Sequence, residues 1–177
     1  MAAIQDHERE YIIWQNRAVD FYIGARALYL QDLSGPAAYC SVSAIELLLK
    51  ASLVYFDRSF VPVDANHNIG KMLRILKNKG PKNTVFAIPE YFFFEQRYLS
   101  TSRYPGDKGL LVPATFLHDL DRVIATLIVL VPFQFNSKLV SILSGRKDYK
   151  KKLNSLKRRN KQMKTLRSHL RQWIRDR

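Results

Sequence analysis

The sequence predicts an all-α fold: an up-and-down antiparallel bundle of four to five helices with a basic C-terminal helical extension. Three observations carry this. Apolar residues recur at three- and four-residue steps over several long segments, the spacing of one helical face. The 7 Gly and 7 Pro are too few for the many tight turns of a β-sandwich. Hydrophobic residues make up 47% of 177 positions, enough for one core without covalent staples.

The first predicted helix covers about 8–31, with Tyr11, Trp14, Ala18, Phe21, Ala25 and Leu28 on its inner face. The second opens at Ser34-Gly35-Pro36, with Ser34 as N-cap and Pro36 in the first turn, where its missing N–H costs little. It runs to about Phe56, is apolar on most sides, and is expected at the bundle centre, with Leu48 and Leu49 in its most apolar stretch. Its polar exceptions, Ser43, Glu46, Lys50 and Asp57, fall on one stripe. A loop over 58–66 leads to a third helix at about 67–78, with Ile69, Met72, Leu73 and Leu76 inward, stopped by Gly80-Pro81. A fourth, about 89–99, is opened by Pro89-Glu90 and favoured over a strand because no alternation supports pairing. After a loop over 100–112, a fifth runs from Pro113 to about Val131 with Phe116, Leu120, Val123, Leu127 and Leu130 inward, and Pro132 ends it. The expected division is a bundle over 1–132, a short helix and connector over 133–145, and a basic amphipathic tail over 146–177.

Charge separates the tail from the body. The chain carries a net +14; residues 146–177 hold 14 Lys/Arg against 2 Asp, a net +12, and the other 145 residues a net +2. The first ten residues carry Asp6, Glu8, Arg9 and Glu10 and no apolar core region, unlike a signal peptide, and the longest nearly apolar stretch, Val123–Phe133, is about half of what spans a bilayer. No transmembrane segment and a reduced, cytoplasmic setting are therefore expected. The single cysteine, Cys40, sits in an apolar run and reads as a small buried residue.

Common catalytic signatures are absent from the sequence: no Gly-rich phosphate loop, no His-Glu-x-x-His, no Gly-x-Ser-x-Gly, no cysteine–histidine cluster. No catalytic residue, metal or cofactor is assigned. His118, Asp119 and Asp121 read as a surface group rather than a metal site. Glu46 and Lys50, spaced i, i+4, leave two readings open. In one they are an ion pair closing a gap in the bundle. In the other, Lys50 and Arg103 converge with His67 on an anionic ligand, while Tyr104 stacks on a base.

Three runs in order, Ala44-Ile-Glu46-Leu-Leu-Leu-Lys50-Ala-Ser-Leu53, His67-Asn-Ile-Gly-Lys-Met-Leu73 and Arg103-Tyr104-Pro105, resemble the HEPN superfamily (higher eukaryotes and prokaryotes nucleotide-binding) over about 8–131. The resemblance implies a helical bundle, commonly homodimeric, linked to RNA processing, toxin–antitoxin pairs or antiviral defence. Many members are ribonucleases with Arg, four to six residues, then His. No Arg–His pair in this chain has that spacing. The resemblance therefore points to the non-catalytic, nucleotide- or RNA-binding branch, with Glu46, Lys50, His67, Arg103 and Tyr104 as ligand residues. A ribonuclease toxin with a degenerate site, and an interaction subunit of a two-component system with a nucleotidyltransferase, are the alternatives.

The tail is best read as a basic amphipathic helix that neutralises phosphates through Lys150, Lys151, Lys152, Lys157, Arg158, Arg159, Lys161, Lys164, Arg167 and Arg171. Three rival uses stay open. Leu166, Leu170, Trp173 and Ile174 form an apolar face for an anionic membrane or an acidic partner. A heptad from Tyr149 allows a homodimeric coil. A solvated helix packed on its own bundle needs no partner.

Overall fold

The computed structural model describes residues 2–65, 67–82, 88–93 and 113–132. These are mostly helical, with no strand among the described residues. We label the helices α1 (Ala2–Tyr29), α2 (Ser34–Phe56), α3 (Ile69–Lys79) and α4 (Phe116–Ile128); Pro62–Ala65 forms a 3-10 turn. A helical turn at 91–93 is the described part of the helix expected over 89–99.

α1 ends in a Schellman closure. The Leu33 N–H bonds the Leu28 carbonyl and the Asp32 N–H bonds that of Tyr29, while Asp32 takes the left-handed backbone (φ 61°) usually given to Gly. This tight reversal folds α2 back along α1. Ring pairs fix the direction: Tyr11 meets Tyr55 near one end and Phe21 meets Tyr39 near the other, so the two helices are antiparallel. α4 also runs antiparallel to α1, since Gln15 reaches the Ile128 carbonyl, Tyr22 reaches Asp121, and Tyr29 stacks on Phe116.

The up-and-down alternation expected from short loops does not hold between α2 and α3. Glu46, midway along α2, touches His67 just before α3, while Asp57 at the end of α2 meets Lys79 at the end of α3. α3 therefore advances in the same direction as the second half of α2. The stretch 58–66 is long enough to travel back along α2 before α3 begins, which a tight turn could not do.

α2 is the central helix. It packs against α1, α3 and α4, and both Leu48 and Leu49 are buried. Its buried serines do not disturb the apolar interior, because Ser41 and Ser52 donate to the carbonyls of Ala37 and Leu48 one turn back. α2 is long and apolar enough to cross a bilayer on length and composition, contrary to the expectation that Val123–Phe133 is the longest such stretch; 83% of the relevant window is buried inside the fold. The helix begins at Ser34 rather than being capped by it: Leu33 holds the cap position and no side chain accepts there.

α3 follows its pattern closely. Ile69, Met72, Leu73 and Leu76 are its buried residues, and the Asn68 carboxamide caps its start by accepting from the Lys71 N–H at 2.8 Å. Gly80 ends it through close approach rather than through a left-handed backbone, since a Cβ there would lie 2.7 Å from the Leu76 carbonyl oxygen. α4 is shorter than expected because Pro113 to Thr115 form a turn, with the Phe116 N–H on the Pro113 carbonyl. Its Phe116, Leu120, Val123 and Leu127 are buried, whereas Leu130 lies beyond the helix and is half-buried.

Candidate functional site

Glu46 and Lys50 share one face of α2, one turn apart, and are both buried, at 9% and 6% exposure. Lys50 Nζ lies 2.7 Å from Glu46 Oε1, and 5.4 Å from the centroid of the Trp14 ring, where the ring's negative face attracts it. The same Oε1 lies 2.8 Å from His67 Nδ1. One carboxylate oxygen thus holds an ammonium and an imidazole together, and the buried ammonium is not left uncompensated in the bundle.

His67 reaches Glu46 from a backbone position uncommon for a residue with a Cβ, φ 59°. That left-handed step directly precedes the Asn68 cap and turns the chain into α3. The imidazole is 74% exposed although its Nδ1 is held by a buried carboxylate. A carboxylate accepts only, so Nδ1 carries the proton, and in the neutral ring Nε2 is the acceptor.

Of the five predicted ligand residues, the structure brings Glu46, Lys50 and His67 together. Arg103 and Tyr104 lie outside the described residues, as do Lys150, Lys151, Lys152, Lys157, Arg158, Arg159, Lys161, Lys164, Arg167 and Arg171 of the tail. Lys50 Nζ and His67 Nδ1 both contact Glu46 Oε1, so the ion-pair reading of Glu46 and Lys50 describes the contacts present.

A second polar cluster has no counterpart among the sequence expectations. Arg26 on α1 and Asp121 on α4 form an ion pair between Arg26 Nη1 and Asp121 Oδ1, and the Tyr22 hydroxyl donates to the same oxygen at 2.7 Å. All three side chains are buried. Burial pushes the Tyr22 phenol well above its ordinary value, and the neighbouring Asp121 carboxylate pushes the same way, against the pull of Arg26. Arg26 Nε and Nη2 and Asp121 Oδ2 have no hydrogen-bond partner among the described residues. The surface reading of His118, Asp119 and Asp121 is thereby corrected. His118 is exposed, Asp119 is half-buried and accepts from Tyr91, but Asp121 faces the core.

The inner face of α1 shifts accordingly. Tyr11, Gln15, Ala18, Tyr22, Ala25 and Arg26 are buried, whereas Trp14 and Leu28 of the predicted stripe are only partly so, as is Phe21. The available signal was Tyr22-x-x-x-Arg26, one turn apart beside Ala18 and Ala25. Among the described residues no group of three His, Cys, Asp or Glu side chains is placed to hold a metal ion. No protein-family description, curated protein or solved structure matches this chain.

Proposed function

We propose that this chain is a non-catalytic, HEPN-like helical module that binds RNA or nucleotide, with the basic segment 146–177 as its electrostatic anchor. The observation that carries the reading is the confinement of a net +12, out of +14, to those 32 residues. Cations held together in a short stretch displace counterions from a phosphate backbone without needing a shaped pocket. The order of the Ala-x-Glu-x-x-x-Lys, His67 and Arg103-Tyr104-Pro105 motifs supports the same class of ligand. A toxin–antitoxin or defence setting, and a homodimer, follow from that resemblance.

Binding of a labelled single-stranded RNA to the full chain and to a chain lacking 146–177, across a salt series, tests this. The full chain should bind with an affinity that falls steeply as salt rises, and the shortened chain should lose most of that affinity and most of the salt slope. Equal affinity with and without the segment would remove the tail from the reading.

A further inference from the structure

A net +2 over the first 145 residues hides an uneven surface. α3 carries Lys71, Arg74, Lys77 and Lys79 and no acidic residue in its 11 positions. Its buried residues, Ile69, Met72, Leu73 and Leu76, occupy one side, which forces the basic ones outward, and all four are exposed. Lys71, Arg74 and Asn78 follow steps of three and four along the centre of the outer face, with Lys77 and Lys79 on its flanks. Lys79 is turned toward Asp57 at 3.5 Å. Arg74 and Lys77 make no ion pair among the described residues.

Just before the Asn68 cap of this helix stands His67, with Nδ1 fixed on Glu46 of α2 and the ring largely exposed. With Nδ1 held by the Glu46 carboxylate, the neutral ring keeps Nε2 as an acceptor close to the start of the cation row. Neighbouring cations rise about 4.5 Å per three residues along the axis, and each long side chain can reach a separate phosphate.

We propose that the outer face of α3 is a second nucleic-acid surface, in which Lys71, Arg74 and Lys77 track the phosphates of a single-stranded RNA and His67 Nε2 accepts from a ribose 2′-hydroxyl. The proposal rests on the RNA-binding reading but places the contact in the body rather than in 146–177. Among polyanions it selects RNA. An anionic lipid surface would need large apolar side chains beside the cations, and the centre of this face carries Lys71, Arg74 and Asn78. A carboxylate-rich peptide offers only acceptors to the cations and no hydroxyl to Nε2 beyond chance. The 2′-hydroxyl is the donor that separates RNA from DNA.

The test uses the full chain, a labelled single-stranded RNA, DNA of the same sequence, and phosphatidylserine vesicles. Lys71→Gln with Arg74→Gln should lower the slope of log affinity against log salt by about 1.4, at ~0.7 for each phosphate no longer neutralised. Helical content should be unchanged, because both side chains are exposed. His67→Gly keeps the left-handed backbone, which glycine adopts freely, and removes only the imidazole. It should shrink the preference for RNA over DNA by a few-fold, up to about tenfold, as expected for one hydrogen bond.

If the intact chain binds RNA and loses it with 146–177 deleted, yet the double variant keeps the full slope, this proposal fails while the tail reading stands. A double variant that loses vesicle binding and leaves RNA binding untouched assigns the face to lipid and likewise overturns it. If the intact chain binds no RNA, both fall together.

Discussion

Removing Asp121 isolates the energetics of the interior polar cluster. The Arg26–Asp121 pair lies buried between α1 and α4, and among the described residues Arg26 Nε, Arg26 Nη2 and Asp121 Oδ2 have no hydrogen-bond partner. Where such a buried group has no partner it costs about 1–3 kcal/mol, which sets an internal penalty against the pair. Asp121→Ala strips Arg26 of its carboxylate and leaves the Tyr22 hydroxyl without the acceptor it holds at 2.7 Å. An uncompensated buried guanidinium costs about 3–5 kcal/mol. At ~2–4 °C per kcal/mol for a domain of this size, the melting temperature should fall by about 6–20 °C. Converting the whole cluster to apolar groups reverses the sign of the argument. Tyr22→Phe, Arg26→Met and Asp121→Leu together remove every orphan at once, and that triple variant should melt near or above the wild type. Far-UV circular dichroism of the wild type, the single and the triple variants on heating gives the comparison. A single variant that melts within two or three degrees of wild type, or a triple variant as unstable as the single, would refute the reasoning.

Leu48→Ala and Leu49→Ala each truncate a side chain that is at most 1% exposed in the central helix, and urea titration should show a loss of about 2–5 kcal/mol for each. Alkaline unfolding should depend on Tyr22. Its folded-state value is raised above the ordinary 10.0, so its contribution is complete below pH 10 and drains away as pH rises beyond it. Tyr22→Phe should therefore show a shallower loss of stability above pH 10 than the wild type, and identical slopes would show that the phenol does not couple folding to pH.

What the sequence made legible was whatever depends on local spacing. The inward set of α3 and four of the five predicted inward residues of α4 follow directly from apolar periodicity. So does the Glu46–Lys50 contact, because i, i+4 neighbours meet on any helix. The inner face of α1 departs from its apolar pattern for a physical reason. Its buried row includes Gln15, Tyr22 and Arg26, polar groups admitted to the core by partners on α4, and a hydropathy pattern cannot see a partner 95 residues away. Similarly, the Glu46–His67 contact requires a left-handed step at a histidine, which has no sequence signature of the kind glycine provides. The direction of α3 depends on the path of 58–66, where loop length alone fits either a reversal or a return.

The central position of α2 has a consequence in time as well as space. During synthesis α1 precedes α2 and is available to cover it at once, through the tight closure at 30–33. α3 and α4 emerge later, and Ile128 follows Phe56 by 72 residues. At about 5–20 residues per second, the side of α2 that α4 will cover waits ~4–14 s for its partner. Throughout that interval a helix apolar enough to cross a bilayer lacks the cover that α4 supplies. The α1–α2 hairpin is thus the cover that α2 has before α4 arrives, against capture by a membrane or by another copy of itself, and the Asp32 reversal is the turn that forms it.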